Sequence, residues 1–173
     1  IATPGEYTST LAVRAGQRVL AAAGVPARDL DLIIVATATP DYVMPSTACI
    51  VQEGLEADEA AAFDVGAACA GFIYALSVGA QYVENGTYRN VLVVGSETFS
   101  RITDWADRAT CVLFGDGAGA VLLQPSERRT GLLSFVLGTQ GGGSQLLYVP
   151  AGGSRKPATH ETVERREHFI RMN

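Results

Sequence analysis

Positive charge is scarce in this sequence. Thirteen Lys and Arg face eighteen Asp and Glu, for a net charge of −5. The first 153 residues hold 8 Arg against 15 acidic residues, a balance of −7, and the last twenty carry +2. A duplex binder needs a basic face, so nucleic acid is excluded as a partner. Metal ligands are as thin. His160 and His168 both lie in the tail, and Cys49, Cys69 and Cys111 form no C-x-x-C pair, which leaves neither a zinc cage nor a disulfide framework. No apolar run approaches the ~20 residues that cross a bilayer, so no membrane association is expected. Ile1-Ala2-Thr3-Pro4 offers no Met, basic region or apolar signal core, so the protein is expected in the cytoplasm and the start reads as an internal point of a longer sequence.

What is present is a globular composition. Hydrophobic residues make up 47% and charged residues 18%, with mean hydropathy +0.17, which excludes intrinsic disorder. At 173 residues the chain buries roughly 70% of the surface its unfolded form exposes. Alanine (25) and glycine (19) dominate, so elements must approach one another over small side chains.

Leu11, Ala12, Ala15, Val19, Leu20 and Ala23 recur at helical spacing, with Tyr7-Thr8-Ser9 as the cap region and Gly24 as the stop. Leu30–Ala38 is a continuous apolar, β-branched run, the pattern of a strand covered on both faces. A helix over roughly Thr47–Leu55 behind Ser46, a short strand Ala61–Val65, a helix Phe72–Glu84 and a strand Arg89–Gly95 follow. Cys111–Phe114, Ala120–Gln124 and Gly131–Leu137 read as further strands, and Phe169-Ile170 as the start of a last one. Strands and helices alternating at crossover distances give an α/β class with parallel pairing.

Cys69 stands out by position. A strand feeds through Gly66-Ala67-Ala68 into a helix whose first turn is expected to carry the thiol. There the unpaired N–H groups and the macrodipole favour thiolate, and the same N–H groups suit an oxyanion in acyl transfer. The alternative is a buried small hydrophobe. Cys49 and Cys111 are expected to pack in the core. Gly115-Asp-Gly-Ala-Gly-Ala120 fits G-x-G-x-x-A, but Val121-Leu-Leu-Gln-Pro125 reads as a strand, whereas a dinucleotide site needs a helix there. A tight turn between two strands, lining a cavity with Phe114, is the reading preferred. Arg108, in Asp104-Trp-Ala-Asp-Arg108, is either a phosphate clamp or a surface partner of Asp104 or Asp107. Asp64 is expected to hydrogen-bond loop N–H groups, and Arg128-Arg129 and Arg165-Arg166 to be solvated charges.

Three motifs in order, Asp64-Val-Gly-Ala-Ala-Cys-Ala-Gly-Phe-Ile-Tyr-Ala-Leu76, Val93-Val-Gly-Ser-Glu97 and Asp107-Arg-Ala-Thr-Cys-Val-Leu-Phe-Gly-Asp-Gly-Ala-Gly-Ala120, closely resemble β-ketoacyl-acyl carrier protein synthase III of the thiolase-like superfamily. The resemblance implies an α/β, thiolase-like α-β-α half, with a mixed sheet covered by helices. It implies residues 1–150 as the N-terminal half carrying the nucleophile, and 151–173 as a connecting segment toward a second half.

It also implies Cys69 as the nucleophile acylated by an acyl-coenzyme A (acyl-CoA) starter, with acetyl-CoA favoured, before condensation with malonyl-acyl carrier protein. No cofactor beyond the coenzyme A thioester substrate is implied. Arg108 matches the coenzyme A entrance, Phe99 and Phe114 the acyl pocket, and Met44 a residue reaching the partner subunit of a homodimer. The family's His-Gln-Ala-Asn and Gly-Asn-Thr-Ser motifs do not occur here, so the 173 residues alone are expected to be inert in condensation. A sibling condensing enzyme of secondary metabolism shares Cys69, an interaction module is a second class, and a nucleotide-binding oxidoreductase a distant third.

Overall fold

The computed structural model describes residues 1–128 and 131–173. The chain forms two compact units. One comprises Ala2–Glu97 and Gly117–Val136, the other Ile1, Thr98–Asp116 and Leu137–Asn173.

The first unit is built on helices α1 (Thr8–Ala23), α2 (Thr47–Leu55) and α3 (Gly71–Glu84) and strands β1 (Leu32–Ala36), β2 (Ala61–Val65), β3 (Val91–Thr98) and β4 (Asp116–Leu123). The sheet order is β2-β1-β3-β4. β1 runs parallel to both neighbours, with Ala36 opposite Val65 on one side and Gly95 on the other. Parallel neighbours need crossovers, and the crossovers place helices on both faces.

Burial follows the alternation of the strands. Ile33, Val35, Leu92 and Val94 point to the face covered by Ala12 and Leu20 of α1 and Ala48, Val51 and Leu55 of α2. Leu32, Ile34, Val91 and Val93 point to the other face, against Ala75 of α3 and the half-buried Phe63, Phe72 and Leu76. All five β1 residues are buried, which is why that run shows no polar alternation. Small residues set the helix spacing. A Cβ built on Gly54 of α2 would stand 2.7 Å from a methyl of Val13 in α1. At the end of α1, Gly24 takes φ +67, and the Val25 N–H reaches the Leu20 carbonyl at 3.1 Å, closing the helix in the left-handed conformation that glycine adopts freely.

The second unit contains the antiparallel pair β5 (Leu147–Tyr148) and β6 (Arg171–Met172) and the short helix α4 (His160–Glu164). Thr159 and Thr162 cap α4 reciprocally. The Thr162 N–H donates to the Thr159 hydroxyl at 3.2 Å and the Thr159 N–H to the Thr162 hydroxyl at 2.9 Å. Asp104 is buried and receives both Nε and Nη2 of Arg166, and Arg166 also lies 5.3 Å from the centre of the Phe169 ring. Arg166 is therefore no free surface charge, contrary to the sequence expectation. Arg165 is exposed and pairs with Glu161 one turn earlier at 2.7 Å. Arg128 is exposed, while Arg129 lies outside the described residues.

Three strand expectations are corrected. Residues 131–140 contain no strand. Cys111–Leu113 forms turns, and one strand, β4, runs from Asp116 straight through Gly117 and Gly119. Pairing with β3 overrides glycine's low strand propensity, since hydrogen-bonded neighbours decide strand formation more than intrinsic preference does. The last strand starts at Arg171, not at Phe169.

Two tests follow from this packing. Ile34 is fully buried, so Ile34→Ala should cost about 2–5 kcal/mol of unfolding free energy, seen as a lower urea midpoint at unchanged slope. The Arg166 hydrogen bonds hold the Asp104 carboxyl below its ordinary value of 3.8. A carboxyl depressed in the folded state contributes stability that is complete above that value and is lost as pH falls further. The urea midpoint should therefore fall between pH 5 and the acid limit through this pair, and Asp104→Asn should flatten that part of the profile.

Candidate active site

β2 ends at Val65, and the chain must reverse within a few residues to enter α3. Gly66 and Ala67 lead into a 3-10 turn, Ala68–Ala70, which runs directly into Gly71. Ala68 makes the reversal at φ +43, in the left-handed region that costs an L-residue about 1–2 kcal/mol. Cys69 sits at the centre of this turn and is exposed. The sequence placed the thiol inside the first helical turn, but regular helical bonding begins at Gly71, so Cys69 stands on the entry turn ahead of the helix.

The turn is held from both sides. On the helix side, a Cβ on Gly71 would lie 3.3 Å from the Ala36 Cβ at the end of β1, and a Cβ on Gly95 of β3 would lie 3.3 Å from the Phe72 ring. On the strand side, the Thr37 N–H donates to the Val65 carbonyl at 3.3 Å. The Asp64 carboxylate accepts the N–H groups of Thr47 and Ala48 at 2.8 and 2.7 Å. Asp64 thus binds backbone N–H groups as expected, but they belong to the start of α2, where the positive end of the helix favours a carboxylate.

Sequence reasoning passed over Glu97 as a functional residue. Its carboxylate accepts the Ala38 N–H at 2.8 Å and the hydroxyls of Thr39 and Thr37. The signal available was a carboxylate three residues beyond the fully buried run Val91–Val94.

The other expected site residues fall as follows. Met44 lies in the loop after β1 and is 84% exposed, beside exposed Tyr42 and Val43. Phe99 and Phe114, in the second unit, are brought together, with ring centres 5.3 Å apart and planes 26° apart. Arg108 is exposed. Asp104 is taken by Arg166, and Asp107 accepts the Thr110 hydroxyl at 2.7 Å, so neither serves Arg108 as an ion partner. Cys49 is exposed rather than core, because Ala48 and Val51 supply the inward face of α2. Its sulfur accepts the Ser46 hydroxyl at 3.0 Å. Cys111 is half-buried in a turn, its N–H on the Asp107 carbonyl at 2.9 Å. Among the described residues no three His, Cys, Asp or Glu side chains gather as metal ligands, and no helix is long and apolar enough to cross a membrane.

A family model described as 3-oxoacyl-[acyl-carrier-protein (ACP)] synthase III matches residues 63–141. The beta-ketoacyl-[acyl-carrier-protein] synthase III of Caldanaerobacter subterraneus subsp. tengcongensis is 56% identical over 172 residues, covering 99% of this chain and 52% of that protein. Over its whole length the chain is similar to β-ketoacyl-acyl carrier protein synthase III. It spans about half the length of the curated relatives it matches.

The synthase III fold is equally clear. The crystal structure of 3-oxoacyl-[acyl-carrier-protein] synthase III from Aquifex aeolicus VF5 superposes with TM-score 0.86 at 41% identity, covering 100% of this chain and 51% of that one. A priming β-ketosynthase of the R1128 polyketide pathway superposes with TM-score 0.88 at 38% identity, over 100% and 51%. The thiolase-like α/β architecture read from the sequence is thus the architecture found. The synthase III model spans Cys69, Phe99, Arg108 and Phe114, whereas Met44 lies before its first residue.

The close approach at Gly95 is testable. Gly95→Val should force Phe72 and the start of α3 outward and cost about 1–3 kcal/mol. Gly66→Ala, with open space around the added Cβ, should change thermal stability by less than about 0.5 kcal/mol.

Proposed function

We propose that the protein is a condensing acyltransferase in which Cys69 carries the acyl group. The observation that supports this best is the exposed thiol on the turn between β2 and α3, inside the segment that matches the synthase III family. The Cys69 sulfur attacks the carbonyl carbon of an acyl-CoA, with acetyl-CoA as starter. The tetrahedral oxyanion collapses, the new thioester forms on Cys69, and coenzyme A leaves as its thiol after taking up a proton. Backbone N–H groups at the start of α3 suit the oxyanion.

Malonyl-acyl carrier protein then loses carbon dioxide, and its carbanion attacks the acyl-Cys69 carbonyl. That step releases a β-ketoacyl-carrier protein and the free thiol. Splitting the reaction around a covalent intermediate gives ping-pong order. The small Ala67 and Ala70 leave room for the thioester beside the sulfur. No resident cofactor enters this scheme, because the thiol supplies the covalent step and coenzyme A arrives as substrate.

In this reading Arg108, exposed and without a carboxylate partner in its own polar cluster, meets the phosphates of coenzyme A. Phe99 and Phe114 wall the acyl chain, and Met44 reaches the partner subunit of a homodimer. The protein works in the cytoplasm at the start of fatty-acid synthesis. The decarboxylation half needs the histidine and asparagine of the family motifs, which these 173 residues do not contain, so the residues in hand account for acylation. A second reading, priming of a secondary-metabolite chain, is favoured by the similarity to the R1128 priming β-ketosynthase. Product analysis with acetyl, branched and longer acyl-CoA starters separates the two.

The decisive measurement is incubation of the intact protein with radiolabelled acetyl-CoA followed by peptide mapping. Label should appear on the Cys69 peptide and vanish in Cys69→Ala. Label that survives the substitution would remove Cys69 from the reaction.

A further inference from the structure

Glu97 is the next-to-last residue of β3. Its carboxylate gathers the Ala38 N–H, the Thr39 hydroxyl and the more distant Thr37 hydroxyl, at 2.8, 2.5 and 3.3 Å. The Thr39 N–H returns to the Thr37 hydroxyl at 3.0 Å. The Thr39 carbonyl accepts the Thr8 hydroxyl at 2.6 Å, and the Thr8 carbonyl accepts the Ser96 hydroxyl at 2.8 Å. The network therefore leaves β3 at Glu97 and rejoins it at Ser96. Thr8, Thr37, Thr39 and Ser96 are buried, so the bonds among them form away from competing water and are directional, while the Ala38 N–H meets the half-buried Glu97 at an exposed position.

Their position gives them a consequence. β1 lies between β2 and β3, so the segment leaving β1 is interposed between Glu97 and the Cys69 turn. That segment touches both flanks of the turn. The Thr37 N–H holds Val65 on its strand side, and Ala36 lies against Gly71 on its helix side. A shift of residues 36–39 therefore moves both ends of the turn that carries the thiol.

We propose that Glu97 is a positioning residue for Cys69, acting through Thr37, Ala38 and Thr39. The inference rests on the reading of Cys69 as the acyl acceptor given above. A geometric error in the nucleophile acts on the chemical step more than on substrate affinity, and that split separates positioning from a general loss of fold.

The test uses Glu97→Ala, Glu97→Asp and Thr39→Val in the intact protein. Cys69 acylation by acetyl-CoA is followed as a function of its concentration and expressed per alkylatable Cys69. Glu97→Ala should lower the saturating acylation rate by about tenfold or more, with KM within about twofold, and the Ala38 amide should exchange its hydrogen about tenfold faster. Glu97→Asp, which keeps the charge, should recover most of the rate, and Thr39→Val should fall between. If Glu97→Ala does not fold, Thr39→Val carries the same comparison.

An unchanged rate per alkylatable thiol, or a loss confined to KM, overturns the proposal. If the wild-type protein does not acylate Cys69 at all, the functional reading fails. The positioning claim is then decided by Ala38 exchange and by the rate at which iodoacetamide alkylates Cys69. A change in both in Glu97→Ala upholds it, and constancy of either refutes it.

Discussion

Parallel pairing of β1 with a neighbour on each edge is the constraint from which the rest of the first unit follows. A strand so placed has no free edge, and its crossovers put helices on both faces, so every one of its side chains is buried. The residues that satisfy this are Leu32, Ile33, Ile34, Val35 and Ala36, and no polar residue fits among them. The register then brings the carboxyl ends of β2 and β1 level with the interior of β3, with Val65, Ala36 and Gly95 side by side. Open α/β sheets place their ligands beyond those ends, and there the chain sets Cys69, Thr37–Thr39 and Glu97.

Different forces govern the two levels. Below Ala36 the contacts are apolar and non-directional, and they supply most of the stability through area removed from water. Above it the contacts are short hydrogen bonds to carboxylates, worth less in net free energy but strict in geometry. Asp64 ties the end of β2 to α2, and Glu97 ties the end of β3 to the segment after β1. Between them lies a turn with a left-handed alanine, a conformation that persists only when its surroundings over-determine it. Ala36 against Gly71 and Phe72 against Gly95 do that from the helix side. Stability and positioning are thus separable by mutation, because they reside in different residues.

Much of this was legible before the structure. The 3.6-residue period of α1, its Gly24 stop and the unbroken apolar run of β1 are local signals, and each element formed where its pattern lay. The motif around Cys69 carried the family. What escaped were features set by contacts distant in sequence. The exposure of Cys49 depends on which face of α2 meets α1, and an apolar run alone does not orient a helix of nine residues. The bond from Asp104 to Arg166 spans 62 residues, and the Glu97 network joins residues 58 to 60 apart. Both consist of polar groups with no periodicity to betray them. The stretch 131–137 has strand-like composition but no ladder within the described residues, and composition without a partner does not make a strand.

The two glycine-rich segments show how context decides chemistry. Gly66–Gly71 and Gly115–Gly119 have similar content, and the second matches a dinucleotide fingerprint residue for residue. The first is followed by Phe72, Ala75, Leu76 and Gly79, a helical period that lets α3 cover β1 and β3. The second is followed by Val121, Leu122 and Leu123, which alternate between the two faces of the sheet. A pyrophosphate is held by the unpaired N–H groups at a helix start. In β4 the backbone instead runs extended beside β3, so Gly115–Ala120 presents no such cluster. The oxidoreductase alternative loses its structural basis on that observation. The exposed Cys69 thiol stands instead on the turn ahead of α3, beyond the ends of β1 and β2.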